Sequence, residues 1–332
     1  MNTHTYDFLS IGDLVVDDFI RLEDAEATCD LQQEHCKICL RFGDKVPFEF
    51  HEVLYAVGNS ANAAVSAARL GISSATSGVV GNDEYGQKCI EALKANNVGT
   101  DYVETDPKLP TNYHFVLWYG PERTILVKHA PFERKLLEAE LPAPKWIYLT
   151  SLGQNTEPFH HEFAAWLRAH PETKLAFQPG TFQMKLGREK LKEIYTQSAA
   201  FFCNVEEAQR ILETKEEDPK NLMDALHELG PKIVVVTDGI KGAYAREEDG
   251  TKWFMPVYPH VPFERTGAGD SFSSTMTVAF LLGKTVPEAL LWAPINAMSV
   301  TQHLGAQKGL LSQAEIEAFL AKAPENYKPV KI

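Results

Sequence analysis

From about residue 146 onward the chain alternates two patterns, and this alternation constrains the fold most. Short apolar runs at 146–149, 175–177, 200–203 and 233–236 read as buried strands. The segments between them, 160–168, 189–197, 205–212 and 222–229, read as helices. Parallel strands cannot be joined by a tight turn, so strand–helix–strand repetition predicts a mostly parallel sheet covered by helices. Upstream, residues 6–12 read as a first strand ending at Gly12. An Ala-rich helix over 60–70 stops at Gly71, then a strand over 75–80 and a helix over 85–95 follow. Beyond Asp270, helical runs extend to 282 and over 287–304 and 313–321.

Two stretches break the alternation. Residues 19–53 mix charges, cysteines and short apolar pieces around Pro47, and read as an insertion of short strands. Residues 112–118 and 124–129 look like a hairpin turning at Tyr119-Gly120-Pro121-Glu122-Arg123. The two are expected to pair as a small sheet inserted in a single domain spanning 1–332.

A formal net charge of −13 argues against a general nucleic-acid binder, because phosphate backbones need a basic surface. No apolar stretch has the length of a membrane span, and Met1 to Asp7 lacks signal-peptide character. A cytoplasmic protein with neither nucleic-acid nor membrane partners is expected. Five cysteines, an odd number, fit a reducing compartment. Cys29, Cys36 and Cys39 crowd one segment with His35, and Cys36-Lys37-Ile38-Cys39 has a metal-site gap. Structural zinc is one reading. Ordinary reduced thiols are the favoured one, because no second close pair follows and His35 adjoins Cys36.

In open α/β sheets, ligands gather at the carboxyl ends of the strands. Asp13 and Asp17 fall there, as do Asn204 with Glu207, Thr237-Asp238-Gly239, and Thr266-Gly267-Ala268-Gly269-Asp270-Ser271-Phe272. In the last segment, a helix starting near Asp270 would aim the N–H groups of Gly267, Ala268 and Gly269 at an anion. Asp270 beside them could take a proton from an attacking hydroxyl. Alone, the segment reads equally well as a turn with an N-cap. Val57-Gly58-Asn59-Ser60-Ala61-Asn62-Ala63-Ala64 offers Asn59 and Asn62 to hydroxyls, or simply caps a helix. Gly81 to Gln87 has P-loop glycine spacing but lacks the lysine, and no Gly-x-Gly-x-x-Gly follows the first strand, which weakens a dehydrogenase reading.

Taken together, these segments resemble the ribokinase-like, or PfkB, family of carbohydrate and nucleoside kinases. The order matches over nearly the whole chain: Asp17, an insertion, Gly58 to Ala64, Gly81-Asn82-Asp83, Asn204-Val205-Glu206-Glu207, Thr237 to Gly242, Thr266 to Phe272, and Asn296 with His303 to Gln307. The resemblance implies a three-layer α/β/α sandwich with a mostly parallel central sheet and a small β-sheet lid, formed by about 19–53 plus 112–129. It implies ATP and Mg²⁺ as cofactors and a sugar or nucleoside as acceptor. Asp270 would be the general base, and Gly267, Ala268 and Gly269 the anion hole. Asp17, Gly58, Asn59 and Asn62 would hold the acceptor. Asn204 and Glu207 would organise magnesium indirectly, and Thr237, Gly239, Gly242 and Asn296 would line the nucleotide site. Relatives often dimerise through the lid and can also be monomers, so the resemblance leaves a homodimer through the lid and a monomer both open.

The chain departs from the family at two places. Val57-Gly58 stands where two glycines are usual. Glu264-Arg265 replaces Asp-Thr, whose aspartate helps hold a potassium-like ion, so K⁺ would depend on the longer Glu264. The favoured acceptor is a sugar. Phe42, Phe48, Phe50 and Tyr55 in or near the insertion keep a purine nucleoside as the alternative, since they could stack on a base or form the lid's own core. A binding protein on a degenerate kinase scaffold is the alternative of a different class.

Overall fold

The computed structural model describes residues 5–28, 37–120, 122–134 and 143–332. The chain opens with β1 (Phe8–Ile11), then leaves the main sheet for β2 (Val15–Leu22), β3 (Glu26–Thr28), β4 (Lys37–Cys39) and β5 (Phe48–Val57). Helix α1 (Asn59–Arg69), β6 (Ser74–Gly81), α2 (Glu84–Ala95) and β7 (Gly99–Asp106) return to it, and β8 (Asn112–Tyr119) and β9 (Glu122–Leu126) leave again. The alternating half follows as β10 (Trp146–Leu149), α3 (Glu157–Ala169), β11 (Lys174–Phe177), α4 (Thr181–Leu186), α5 (Lys192–Gln197), β12 (Ser198–Asn204), α6 (Val205–Leu212), α7 (Pro219–His227) and β13 (Ile233–Thr237). The chain finishes with β14 (Ala243–Arg246), β15 (Lys252–Met255), α8 (Ala268–Leu281), α9 (Val286–Val300), α10 (Gln313–Leu320) and β16 (Val330–Lys331).

The ten-stranded sheet runs β16-β15-β14-β13-β12-β11-β10-β1-β6-β7. Pairing is parallel from β13 across to β7, and β14 to β16 close one side antiparallel. Alternate residues of each strand feed opposite cores. Phe8, Tyr148, Ala176, Phe202 and Val235 pack with α1, α8 and α9. Leu9, Ile147, Phe177, Phe201 and Val234 pack with α3, α5, α6 and α7. This is the expected three-layer sandwich, and burial on both faces explains why the strands read as continuous apolar runs.

Helix α8 is buried nearly all round although it carries Ser and Thr. Those hydroxyls bond back into their own helix, Ser273 to the Gly269 carbonyl at 2.9 Å and Thr277 to that of Ser273 at 2.8 Å. Their polarity is thereby spent locally.

A separate four-stranded sheet has the order β5-β2-β8-β9. Its first strand already starts at Val15, so Asp17 lies on a strand of the small sheet and not in a loop after β1. The sequence pattern hid this because Val15 to Leu22 follows β1 with almost no turn. The zinc reading falls mostly on Cys29, His35 and Cys36, outside the described residues. Cys39 is exposed, and no group of three or more metal-ligating side chains is present among the described residues.

Candidate active site

β1 lies between β10 and β6, so the strand order reverses there, and ligands of such sheets bind at the strand ends of this switch point. Asp13 follows β1, Gln178 follows β11, and Asn204 and Thr237 end β12 and β13. The Gly-Ala-Gly-Asp tip of α8 closes the same region.

Gly267 caps α8 in the left-handed region, with φ 78°. A Cβ there would lie 2.6 Å from Ala306 Cα, so both space and conformation demand glycine. Among the described residues the N–H groups of Gly267 and Gly269 donate no backbone hydrogen bond, and that of Ala268 reaches back only to the Arg265 carbonyl at 3.4 Å. Such a tip attracts anions.

Asp270 sits in the first turn of α8 and is 9 % exposed. Asn59 Nδ2 donates to its Oδ1 at 2.9 Å, and Asn62 Nδ2 donates to its Oδ2 at 2.8 Å. Gln178 lies near enough to favour the ionised carboxylate as well, and Gln178 in turn accepts from the Tyr148 hydroxyl. Burial pushes the Asp270 carboxyl above the usual carboxylate range, while the three amides and the Arg123 charge pull it back. Asn62 is engaged at both ends of its amide, since its Oδ1 accepts from Gln307 Nε2 at 3.0 Å. The two asparagines expected to face the acceptor therefore hold the carboxylate in place.

Gly58 caps α1 with φ 92°, and a Cβ there would lie 3.0 Å from the Asp13 carbonyl. Asp17 begins a chain of contacts that sequence reasoning missed. Its Oδ1 lies 3.2 Å from His114 Nδ1, and His114 Nε2 lies 3.2 Å from His129 Nε2. His129 Nδ1 lies 3.0 Å from Asp13 Oδ2, and Arg134 pairs with Asp13 Oδ1 and donates to the Gly12 carbonyl at 2.9 Å. Burial alone would raise the Asp13 carboxyl, but Arg134 and His129 hold it below its ordinary value. His114, His129 and Arg134 belong to no motif. Only Gln178, directly past a strand end, carried a positional signal.

On the opposite side, Asn204 and Glu207 form a reciprocal capping box on α6. Asn204 Oδ1 accepts from Glu207 N at 2.8 Å, and Glu207 Oε2 accepts from Asn204 N at 2.9 Å. Burial raises the Glu207 carboxyl, and the charge of Asp270 raises it further despite the Asn204 N–H. Thr237 ends β13, and Gly239 and Gly242 bracket a short 3₁₀ turn that leaves Ile240 exposed.

Asn296 was expected to line the nucleotide site. It is fully buried, donates to Thr275 Oγ1 at 2.8 Å and accepts from Leu311 N at 3.0 Å. Both ends of its amide tie α8, α9 and the following loop together. Arg265 pairs with Glu122 at 3.3 Å on the surface. Of the aromatic residues considered for base stacking, Phe42 is wholly exposed and Phe50 packs edge-on to Trp118, with ring centroids 6.1 Å apart.

The three-layer sandwich with its separate small sheet is a ribokinase-like fold. Residues 25–313 match the model of the pfkB family carbohydrate kinases, and the chain belongs to that family. Ribokinase of Bacillus subtilis is 29 % identical over 269 residues, covering 80 % of this chain and 87 % of that protein. The fold superposes on Arabidopsis thaliana ribokinase complexed with ribose and ATP with a TM-score of 0.78 at 19 % identity, covering 96 % and 99 % of the two chains. It also superposes on a Vibrio cholerae fructokinase double mutant bound to fructose, ADP and potassium, with a TM-score of 0.72 at 22 % identity, covering 95 % and 99 %. No helix among the described residues is long and apolar enough to cross a membrane.

Proposed function

We propose that this carbohydrate kinase moves the γ-phosphoryl group of ATP to a hydroxyl of a sugar, with Asp270 as the general base. The observation that carries this reading is the amide clamp on Asp270 at the tip of α8. Phosphoryl transfer needs position and charge compensation more than covalent help. The clamp supplies position, and the Gly267, Ala268 and Gly269 N–H groups would stabilise charge on the transferring group. The raised carboxyl suits a base that must accept a proton during transfer and release it afterwards.

Mg²⁺ fits the residues present. Glu207 is half-buried, and burial together with the charge of Asp270 raises its carboxyl, a balance that a divalent ion near the phosphates would relieve. Asn204 and Glu207 would orient the ion's water shell, and the ion would neutralise phosphate charge. Thr237, Gly239 and Gly242 would border the nucleotide.

Asp17 would take acceptor hydroxyls, with Gly58 leaving room beside it. The small sheet would act as a lid, excluding water during transfer. A sugar is favoured over a purine nucleoside because the Asp17 side is lined by carboxylates and imidazoles and the proposed stacking aromatics are exposed or engaged. Release of ADP should be measured with ribose, fructose, 2-keto-3-deoxygluconate, inositol and adenosine. A signal with a sugar supports the reading, a signal with adenosine alone replaces the acceptor class, and acceptor binding without ADP release supports a degenerate kinase.

A further inference from the structure

Three consecutive residues ahead of the anion-hole loop are fastened to the β8–β9 hairpin. Phe263 meets Trp118 edge-on with ring centroids 5.2 Å apart. Glu264 faces Arg123, with Nη1 3.4 Å from Oε1, and Arg265 faces Glu122 at 3.3 Å. Trp118 and Arg123 are themselves cross-strand partners. The hairpin is thus stapled to the loop that leads into Gly267.

The middle contact of the staple is chemically the unusual one. Glu264 is 2 % exposed, so its charge needs a partner. Its Oε1 already accepts from Thr266 N at 2.8 Å and from Thr266 Oγ1 at 2.7 Å, and Arg123 approaches the same oxygen. Glu264 Oε2 and Arg123 Nε are buried without a hydrogen-bond partner among the described residues. The Arg123 charge also favours the ionised form of Asp270, so its field reaches the reacting carboxylate.

The fructokinase noted above is recorded with potassium, and Glu264 stands where such an ion would be expected. The surroundings of Glu264 do not suit one. A monovalent metal ion is held by a cage of oxygens, whereas Glu264 is met by an N–H, an O–H and a guanidinium, all of them donors. A second cation at Oε2 would sit against the guanidinium and be repelled by it.

We propose that the Arg123 guanidinium replaces a bound monovalent cation beside the anion-hole loop, so that phosphoryl transfer by this chain does not depend on K⁺. Because Arg123 rides on β9, the positive charge arrives with the small sheet and leaves with it. A mobile metal ion would not couple charge to lid position in this way. The inference rests on the kinase reading above, and Arg123 acts here as a positioning residue through Glu264 and Asp270.

The test compares wild type, Arg123→Ala and Arg123→Lys in potassium, sodium and choline chloride at one ionic strength. Two readouts are taken, the melting temperature with ADP present and sugar-dependent ADP release. Wild type should give the same values in all three salts. Arg123→Ala should lose about 10²-fold in turnover in choline, as when an electrostatic stabiliser of the transition state is removed, and recover in part with K⁺ or in Arg123→Lys. Its melting temperature should become K⁺-sensitive. Potassium activation of wild type, a K⁺-specific rise in its melting temperature, or an Arg123→Ala variant with full turnover in choline would each overturn the inference. If no sugar is turned over, the kinase reading fails. The melting comparison still decides the cation question, because equal melting of Arg123→Ala in every salt rejects it.

Discussion

Asn62 donates to the Asp270 carboxylate at 2.8 Å although 208 residues separate them in the chain. Asn59 reaches the other carboxylate oxygen from the same turn of α1, so this helix acts as a clamp on the catalytic tip of α8. Amide donors favour the ionised carboxylate over the neutral one. Replacing Asn62 or Gln178 by leucine should therefore raise the Asp270 carboxyl further above its ordinary range. The acid limb of the pH–rate profile should move to higher pH in both variants. An unmoved limb would mean that a different group sets it.

The contact between Asp17 and His114 places an imidazole against the carboxylate expected to hold the acceptor. Asp17→Asn or His114→Ala should raise the KM for the sugar by roughly 10–100-fold, the worth of a hydrogen bond to a charged group, with the KM for ATP little changed. Equal changes in both constants would assign the pair a purely structural role. Steady-state kinetics with each substrate varied in turn separates the two.

His160 gives an acid sensitivity remote from chemistry. Burial lowers its imidazole to about 4, while its Nδ1 lies 2.6 Å from the Thr156 carbonyl and its Nε2 3.0 Å from Gln183. The unfolded chain takes up this proton near its ordinary value and the folded chain only near 4. Stability from this group is therefore complete above about pH 6.5 and is lost as pH falls toward 4, amounting to about 3 kcal/mol. Chemical denaturation from pH 7.5 to 4 should show that slope in wild type and a shallower one in His160→Gln. Identical slopes would assign the acid sensitivity elsewhere.

Gly267→Ala should disturb the anion-hole loop. The new methyl meets the Ala306 backbone and the residue is held at positive φ, a conformation that costs a non-glycine residue about 1–3 kcal/mol. Lower melting temperature and strongly reduced turnover are expected together. Wild-type turnover would show that the loop geometry tolerates a side chain and is not critical.

Much of this architecture was legible in the residues. Helix α6 occupies residues 205–212 as its apolar spacing predicts, because Asn204 and Glu207 form a local capping box. Strands β10 to β13 were visible because both of their faces are buried. Strand β7 was not: it lies at the edge of the sheet, its residues are half-buried or exposed, and Gly99-Thr100-Asp101 opens it without an apolar run. Strands β14 and β15 are too short and too mixed to show a period. The order and spacing of the Gly-Ala-Gly-Asp and Gly-x-x-x-Asn segments pointed to the site, but not to what its asparagines do. That Asn59 and Asn62 grip Asp270, and that Asn296 is spent inside the core, depends on how distant helices meet. The Asp17–His114–His129–Asp13 chain was hidden for the same reason, since its members come from two strands of the small sheet and two separate loops.

The central claim is direct transfer of the ATP γ-phosphoryl group to a sugar hydroxyl with Asp270 as base. It is tested most directly by following the γ-phosphorus of labelled ATP in a single turnover with the best sugar of the panel, in wild type and in Asp270→Asn. The account predicts label in a sugar phosphate for wild type and transfer slowed by about 10²–10⁴ in the variant, with ATP binding retained. Transfer at a near-normal rate in Asp270→Asn, or label appearing only as inorganic phosphate in wild type, would contradict it.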